Sequence, residues 1–351
     1  MKKFDYQTLN KLVITPMMTK KISQISEYRG QISAAQLQAN TAALTRLVAV
    51  AKIQSTDASN RIEGIYTSST RLRLIMAKKT MPHDRSEAEI SGYRDVLSLI
   101  HEQYAYIPMT ASTILTLHKH LFSFTASSWG GKFKDIDNQI MARHTDGTEV
   151  VRFTPPAAYL TPALVESLCD NFRQALQADT LPTLLLCGAF VFDFVSIHPF
   201  RDGNGRLSRL LMLLVLYQAD YGVGRYISLE ALIEKTKSQY YQALEVSSEG
   251  WLQDTNDYQA FLDYFLSVVL QAYRDLAERL APSVEPEKVT APVLILQGLQ
   301  NELRPLTKRE LIALIPKYSQ VSIERGLHQL VVAGKIRKVG AGRATSYVLV
   351  I

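Results

Sequence analysis

The strongest constraint in this sequence is a polar segment of 12 residues, His198 to Arg209, held between two apolar stretches, Pro182 to Val195 and Arg206 to Ala219. Both stretches are too long for ordinary strands and read as core helices, so the loop between them hangs its side chains from rigid supports. The same rhythm fills most of the chain. From Ala34 to Ile62 the residues Leu37, Leu44, Leu47, Val48 and Ile53 recur at helical spacings, and Glu87 to Glu102, Ala111 to Phe122, Pro162 to Ala178 and Thr255 to Leu280 read alike. The fold expected is mainly α. One region departs from it: Trp129 to Pro156, with Gly130, Gly131, a polar tip at Thr145, Asp146 and Gly147, and β-prone Val150, Val151 and Phe153, reads as a hairpin.

The C-terminal part is separate in both pattern and charge. Ala281 to Pro292 holds three prolines and reads as a linker; three short helices and a β-type pair around Gly340, Ala341 and Gly342 then suit a winged helix-turn-helix. The domains expected are 1–110, 111–280, a linker at 281–291, and 292–351. Of the net charge of +6, residues 303–351 carry nine Lys/Arg against two Asp/Glu, leaving 30 against 31 elsewhere. Lys317, Arg325, Lys335, Arg337, Lys338 and Arg343 are spread over the recognition helix and wing of that module, which suits a DNA backbone as a partner or an ordinary solvated face.

At 47% hydrophobic and 21% charged, the composition is that of a globular protein. Cys169 and Cys187 show neither CxxC spacing nor disulfide density, which suits reduced core thiols and a cytoplasmic setting. The basic start at Lys2 and Lys3 is followed by polar residues and not by a signal-peptide core. The longest apolar run, Leu210 to Tyr217, falls far short of the roughly 20 residues a membrane helix needs, so no membrane partner is expected.

The residue types in the polar segment point to phosphate chemistry. Gly203 and Gly205 clear the way for an anion to approach the backbone, and the helix that follows offers unpaired N–H groups and a positive dipole end. Arg206 and Arg209, three apart on its first turn, are placed to fork onto phosphate oxygens together. Asp202 is a hard oxygen ligand suited to Mg²⁺ bridging phosphates. His198 is the natural general base, since a neutral imidazole accepts a hydroxyl proton near neutral pH.

The segment resembles the Fic motif HPFx(D/E)GNGRxxR and matches it at every defined position. With the upstream region and the following helices, the resemblance covers about Ala34 to Leu280. It implies a helical domain that transfers AMP from ATP, with Mg²⁺, to a Ser, Thr or Tyr hydroxyl of a protein. By that resemblance His198 deprotonates the hydroxyl, Phe200 anchors the loop, Asp202 holds Mg²⁺ and Asn204 positions the α-phosphate. The backbone at Gly203 and Gly205 cradles phosphates, and Arg206 and Arg209 bind the β and γ groups. A phosphorylating branch of the family carries a bulkier residue where Gly203 stands, which favours AMP transfer here.

Three further features carry the resemblance. The hairpin matches the family's target-docking flap, with Ile140 and Met141 as candidate contacts. Tyr240 and Tyr241 resemble a Tyr-Tyr segment beside the adenine; where some relatives then place an Asn toward the purine, this chain has Ser247 and Ser248. Ser59 to Gly64 matches the inhibitory motif (S/T)xxxE(G/N), so Ser59 and Glu63 would share a helix face and Glu63 would occupy Arg209. A second class of function remains open: a DNA-binding regulator or toxin–antitoxin-like protein with another transfer reaction, phosphorylation or AMP removal. ATP, an unidentified target protein, the chain itself as target, and a homodimer partner complete the expectations.

Overall fold

The computed structural model describes residues 2–6, 9, 12–32, 41–143, 149–280, 290–302, 304–340, 342 and 345–350. Two compact units divide the chain, Met1–Leu280 and Ala281–Ile351.

In the first unit the helices are α1 Pro16–Gln31, α2 Thr41–Ile62, α3 Ser69–Met76, α4 Arg85–Gln103, α5 Ala111–Leu121, α6 Thr161–Ala178, α7 Thr183–Ile197, α8 Asn204–Gln218, α9 Leu229–Lys235, α10 Lys237–Ser248 and α11 Gln259–Leu280. α7 and α8 are apolar nearly all round and pack on each other, with α6 and α11 covering α7. The helices expected from apolar spacing are present, though α2 is described only from Thr41 and the expected start at Ala34, with Leu37, lies outside the described residues. Three short helices, α3, α9 and α10, and the mostly polar α1 have weak apolar periodicity. α1 was not expected, although its start carries a signal: Thr15 caps the helix and Pro16 fills the first helical position. Side chains from residues 1–110 and 111–280 enter one hydrophobic core, from Phe4 and Met18 through Tyr93 to Phe190, Leu211 and Leu262.

The hairpin is narrower than expected: β1 Ile140–Arg143 pairs antiparallel with β2 Glu149–Phe153, with an irregularity at Ile140/Met141. The expected tip at Thr145 to Gly147 lies outside the described residues. Residues 131–138, read as part of the hairpin, form instead a clasp on the polar loop, because their polar groups are taken up by its carbonyls. Among the described residues no helix is long and apolar enough to cross a membrane.

The second unit runs α12 Ala291–Glu302, β3 Leu306–Thr307, α13 Lys308–Leu314, α14 Gln320–Val332, β4 Ile336–Val339 and β5 Ser346–Leu349. Its sheet is antiparallel in the order β3-β5-β4. Ile295, Leu299, Leu311, Ile323, Leu327 and Tyr347 form its own core. Thr307 and Glu310 close α13 with a reciprocal capping box. The two-residue β3 was not foreseen, and most of the expected linker, 281–289, with Ala341 and Arg343 of the expected wing, lies outside the described residues.

Candidate active site

α7 stops at His198, whose backbone turns left-handed (φ 49°) ahead of Pro199, and α8 begins after Gly203 (φ 81°). Gly203 is required twice over. Its positive φ disfavours a side chain, and a Cβ there would lie 2.7 Å from the Phe122 ring. Asn204 then ties the loop to itself: its Oδ1 accepts from Phe200 N at 2.9 Å and its Nδ2 donates to Phe200 O at 2.8 Å. One donor and one acceptor site of its amide are thus engaged within the turn.

Three residues that sequence reasoning missed hold this loop from outside. His118, fully buried, accepts a hydrogen bond from Gly131 N–H at Nδ1 (2.9 Å), so its Nε2–H donates to Asp202 O (3.0 Å), and its ring stacks on Phe200 at 3.6 Å. Lys134 donates from its backbone to Pro199 O (2.8 Å) and from Nζ to Asn138 Oδ1 (2.8 Å). Asn138 donates to Phe200 O at 3.2 Å. Burial pushes the Lys134 ammonium down to about 8, with Asp137 opposing. No spacing in the sequence marks these residues, because each acts on main-chain groups far along the chain. Phe200 is wholly buried, an anchor of the loop and not part of the cavity wall.

The His198 ring is half-buried and its Nδ1 faces Val195 O at 3.3 Å, which places the proton on Nδ1 and leaves the Nε2 lone pair available. Burial lowers its pKa to about 4; the Val195 carbonyl opposes this and Lys134 adds to it. The base form therefore persists well below neutrality. The acid limb of kcat/KM is expected near pH 4, so rates at pH 6 and pH 8 agree within about twofold; a base titrating near 6.5 would lose about fourfold at pH 6. A pH–rate profile at constant ionic strength checks this.

Arg209, 2% exposed, is surrounded by the end of α2. Its Nε donates to Ser59 Oγ (2.8 Å) and its Nη2 to Ser59 O (2.9 Å) and Glu63 Oε1 (2.7 Å). Burial works against the guanidinium charge, but Glu63 more than restores it, so Arg209 stays protonated. A Cβ on Gly205 would overlap Glu63 Oε1, so this carboxylate lies directly against the start of α8, where an anion is favoured. α2 is fixed there by two contacts: Ser55 donates to Glu230 Oε2 (2.7 Å), a carboxylate whose Oε1 accepts from Tyr93 of α4 (3.0 Å), and Lys237 Nζ donates to Ile62 O (2.7 Å).

Arg206 departs from expectation. Three residues on a helix leave it about 60° round from Arg209, and Glu89, itself buried, takes its Nη1 at 2.5 Å while its Nη2 lies 3.3 Å from Asp202 Oδ1. It lies over the Phe122 ring and away from the cavity lined by Arg209. Asp202 is 41% exposed and also faces Arg85 at 3.2 Å. Among the described residues no cluster of three or more metal-ligating side chains occurs. One solvent-facing carboxylate nonetheless fits Mg²⁺ of the kind that takes its other ligands from water and phosphates.

Glu63, His198, Gly205 and Arg209 line one cavity of about 560 Å³ with Tyr240, Tyr241, Leu244 and Ser248 of α10 and Ile140 of β1; Asp202 and Arg206 are not in its wall. Met141 is placed by its backbone only, opposite Val151. Ser247 is buried and accepts from Phe261 N, so it faces the core instead.

Residues 108–216 match the sequence model of the Fic/DOC family. This chain carries a Fic domain. It is 27% identical over 286 residues to the protein adenylyltransferase Fic of Drosophila mojavensis and 26% identical over 287 residues to that of Drosophila melanogaster. Those alignments take in 78% of this chain and 52% and 53% of the relatives, so the chain spans about half the length of the curated relatives it matches. Its fold is that of solved Fic structures: a Fic family protein from Desulfovibrio desulfuricans (TM-score 0.63, 20% identity, 96% of this chain and 97% of that one) and a Fic-domain signalling protein from Bacteroides thetaiotaomicron (0.60, 20%, 76% and 100%). The matched stretch ends within α8, and α10, beyond it, supplies one wall of the cavity.

Proposed function

We propose that the chain is a protein adenylyltransferase that moves AMP from ATP to a Ser, Thr or Tyr hydroxyl of a protein, the chain itself among its targets, and that Glu63 restrains it. The observation that carries this reading is the meeting, in one cavity, of an available imidazole nitrogen, a helix start and a buried arginine held by a carboxylate. The target hydroxyl attacks the α-phosphorus of ATP while His198 Nε2 takes its proton. The new P–O bond forms as the bond to the β-phosphate bridge oxygen breaks, and pyrophosphate leaves. Arg209 and the N–H groups at the start of α8 take the charge of the leaving chain. Mg²⁺ held by Asp202 would neutralise phosphate charge, with Arg206 and Arg85 fixing that carboxylate. Gly203, closed in by Phe122, allows nothing bulkier in the loop. The β1–β2 hairpin, with Ile140 on the cavity, is placed to align the target backbone. Incubation with α- or γ-labelled ATP tests the reaction: label in protein from the α position alone supports AMP transfer, whereas γ label means phosphorylation and overturns it.

A second activity is favoured by the charges of the C-terminal unit, which we read as a DNA-contacting winged helix. Both acids of residues 303–351 are neutralised within the unit, Glu310 by Arg304 and Glu324 by Lys308. Arg309, Lys317, Arg325, Lys335, Arg337 and Lys338 are exposed and make no ion pair among the described residues. Full-length protein is expected to shift duplex DNA with a steep salt dependence, each phosphate contact adding about 0.9 to the slope of log K against log salt. Replacing Arg337 and Lys338 by alanine should lower that slope by about 2. An unchanged slope, or binding that ignores salt, means that the face serves a protein partner.

A further inference from the structure

The cavity has a phosphate end at Glu63, Gly205 and Arg209, but nothing so far says how its other end distinguishes one nucleobase from another. α10 lines it as a single stripe, Lys237, Tyr240, Tyr241, Leu244, Glu245 and Ser248, spaced as one helix face and about 16 Å long. Lys237 lies beside the end of α2, so the stripe leads away from Glu63 toward Glu245 and Ser248. At that far end the lining is largely apolar or aromatic. Ser248 has its hydroxyl turned to its own helix, donating to Glu245 O at 2.8 Å. Two charged side chains face each other there: Glu245 and Arg152, the latter reaching in from β2 of the hairpin.

Their contact is incomplete. Arg152 lies with its guanidinium 4.8 Å over the Tyr241 ring, and its Nε is 3.5 Å from Glu245 Oε2, an ion pair without a hydrogen bond. That Nε is closed off from solvent and has no hydrogen-bond partner. A ligand would meet the guanidinium through its Nη groups instead, because the side chain keeps 20% exposure. Glu245 is 58% exposed and has acceptor capacity to spare. A donor and an acceptor set side by side in an apolar slot are the minimum needed to orient a flat heterocycle.

We propose that Arg152 and Glu245 are the specificity-determining pair for the nucleobase: Arg152 donates to a purine ring nitrogen and Glu245 accepts from the exocyclic 6-amino group. The assignment rests on the nucleotide reading of the cavity. It selects adenine, because a 6-oxo purine would turn its carbonyl oxygen toward the Glu245 carboxylate, where two acceptors repel. It also gives the hairpin a part in nucleotide choice, since Arg152 reaches the cavity from β2.

The test compares ATP with inosine triphosphate, which differs at position 6, in the Glu63→Gly form and in that form carrying Glu245→Ala, Arg152→Ala or Arg152→Lys. The parent is expected to favour ATP at least tenfold in kcat/KM. Glu245→Ala should bring the two nucleotides within about threefold by raising KM for ATP, with kcat at saturating ATP changed less than twofold. Arg152→Ala should raise KM for ATP at least fivefold, and Arg152→Lys should recover only part of it, since an ammonium cannot replace the planar fork. An unchanged ratio in Glu245→Ala overturns the proposal, as does a parent that prefers the 6-oxo nucleotide. Equal losses of kcat with both nucleotides in every variant also overturn it and leave the pair a hairpin-packing role. A folded parent that binds neither nucleotide in calorimetry overturns the nucleotide reading itself, a result distinct from the others.

Discussion

Replacing His198 by alanine is expected to lower AMP transfer by about 100- to 10,000-fold, the usual worth of a positioned general base, while leaving ATP affinity within about twofold. The split follows from geometry. The His198 ring is held through Nδ1 and Val195 O, and the polyphosphate cradle is made by the start of α8 and Arg209. Alanine carries a side cost at this position, because the left-handed backbone (φ 49°) disfavours a Cβ by roughly 1–2 kcal/mol. His198→Asn is the companion variant, since asparagine tolerates that conformation but supplies no base. Both variants should lose the reaction and the asparagine form should keep its melting temperature. A loss of ATP binding along with activity would mean that His198 holds nucleotide and is not the base.

Glu63→Gly should act in the opposite direction, raising AMP transfer by about 10- to 150-fold, the equivalent of the roughly 1.5–3 kcal/mol carried by a hydrogen bond to a charged group. The carboxylate both occupies Arg209 and fills the space over Gly205. Its removal frees both for a phosphate chain at once. It also leaves Arg209 buried without its counter-charge, so the variant without nucleotide should melt lower than the wild type, and ATP with Mg²⁺ should restore the loss. Glu63→Gln, which keeps the shape without the charge, should fall between. Equal rates for wild type and Glu63→Gly at every ATP concentration would remove the restraint from the account.

The central helices and the polar loop were legible because their signals are local: long apolar runs, a glycine pair, and charged groups a few residues apart. The ion pair between Glu63 and Arg209 was also readable, since a motif at each end names a partner for the other. What sequence could not show was the division of labour between the two arginines. Spacing of three puts Arg206 and Arg209 near one face, and only Glu89, a buried acid on a distant helix, draws Arg206 away. The bonds of Asn204 to the Phe200 backbone were hidden for a related reason, since they depend on how the loop closes on itself. His118, Lys134 and Asn138 were invisible because main-chain carbonyls, which carry no sequence identity, are what they bind. Arg152 and Glu245 likewise meet only because the hairpin folds onto α10.

Calorimetric titration of ATP–Mg²⁺ into wild-type protein, the Glu63→Gly form and the Glu63→Gly, Arg209→Ala form tests the central claim most directly. Binding at one site, at least tenfold tighter in Glu63→Gly than in wild type and lost again with Arg209, is the result the account predicts. A folded Glu63→Gly protein that takes up no nucleotide, or one that binds as well without Arg209, would contradict it.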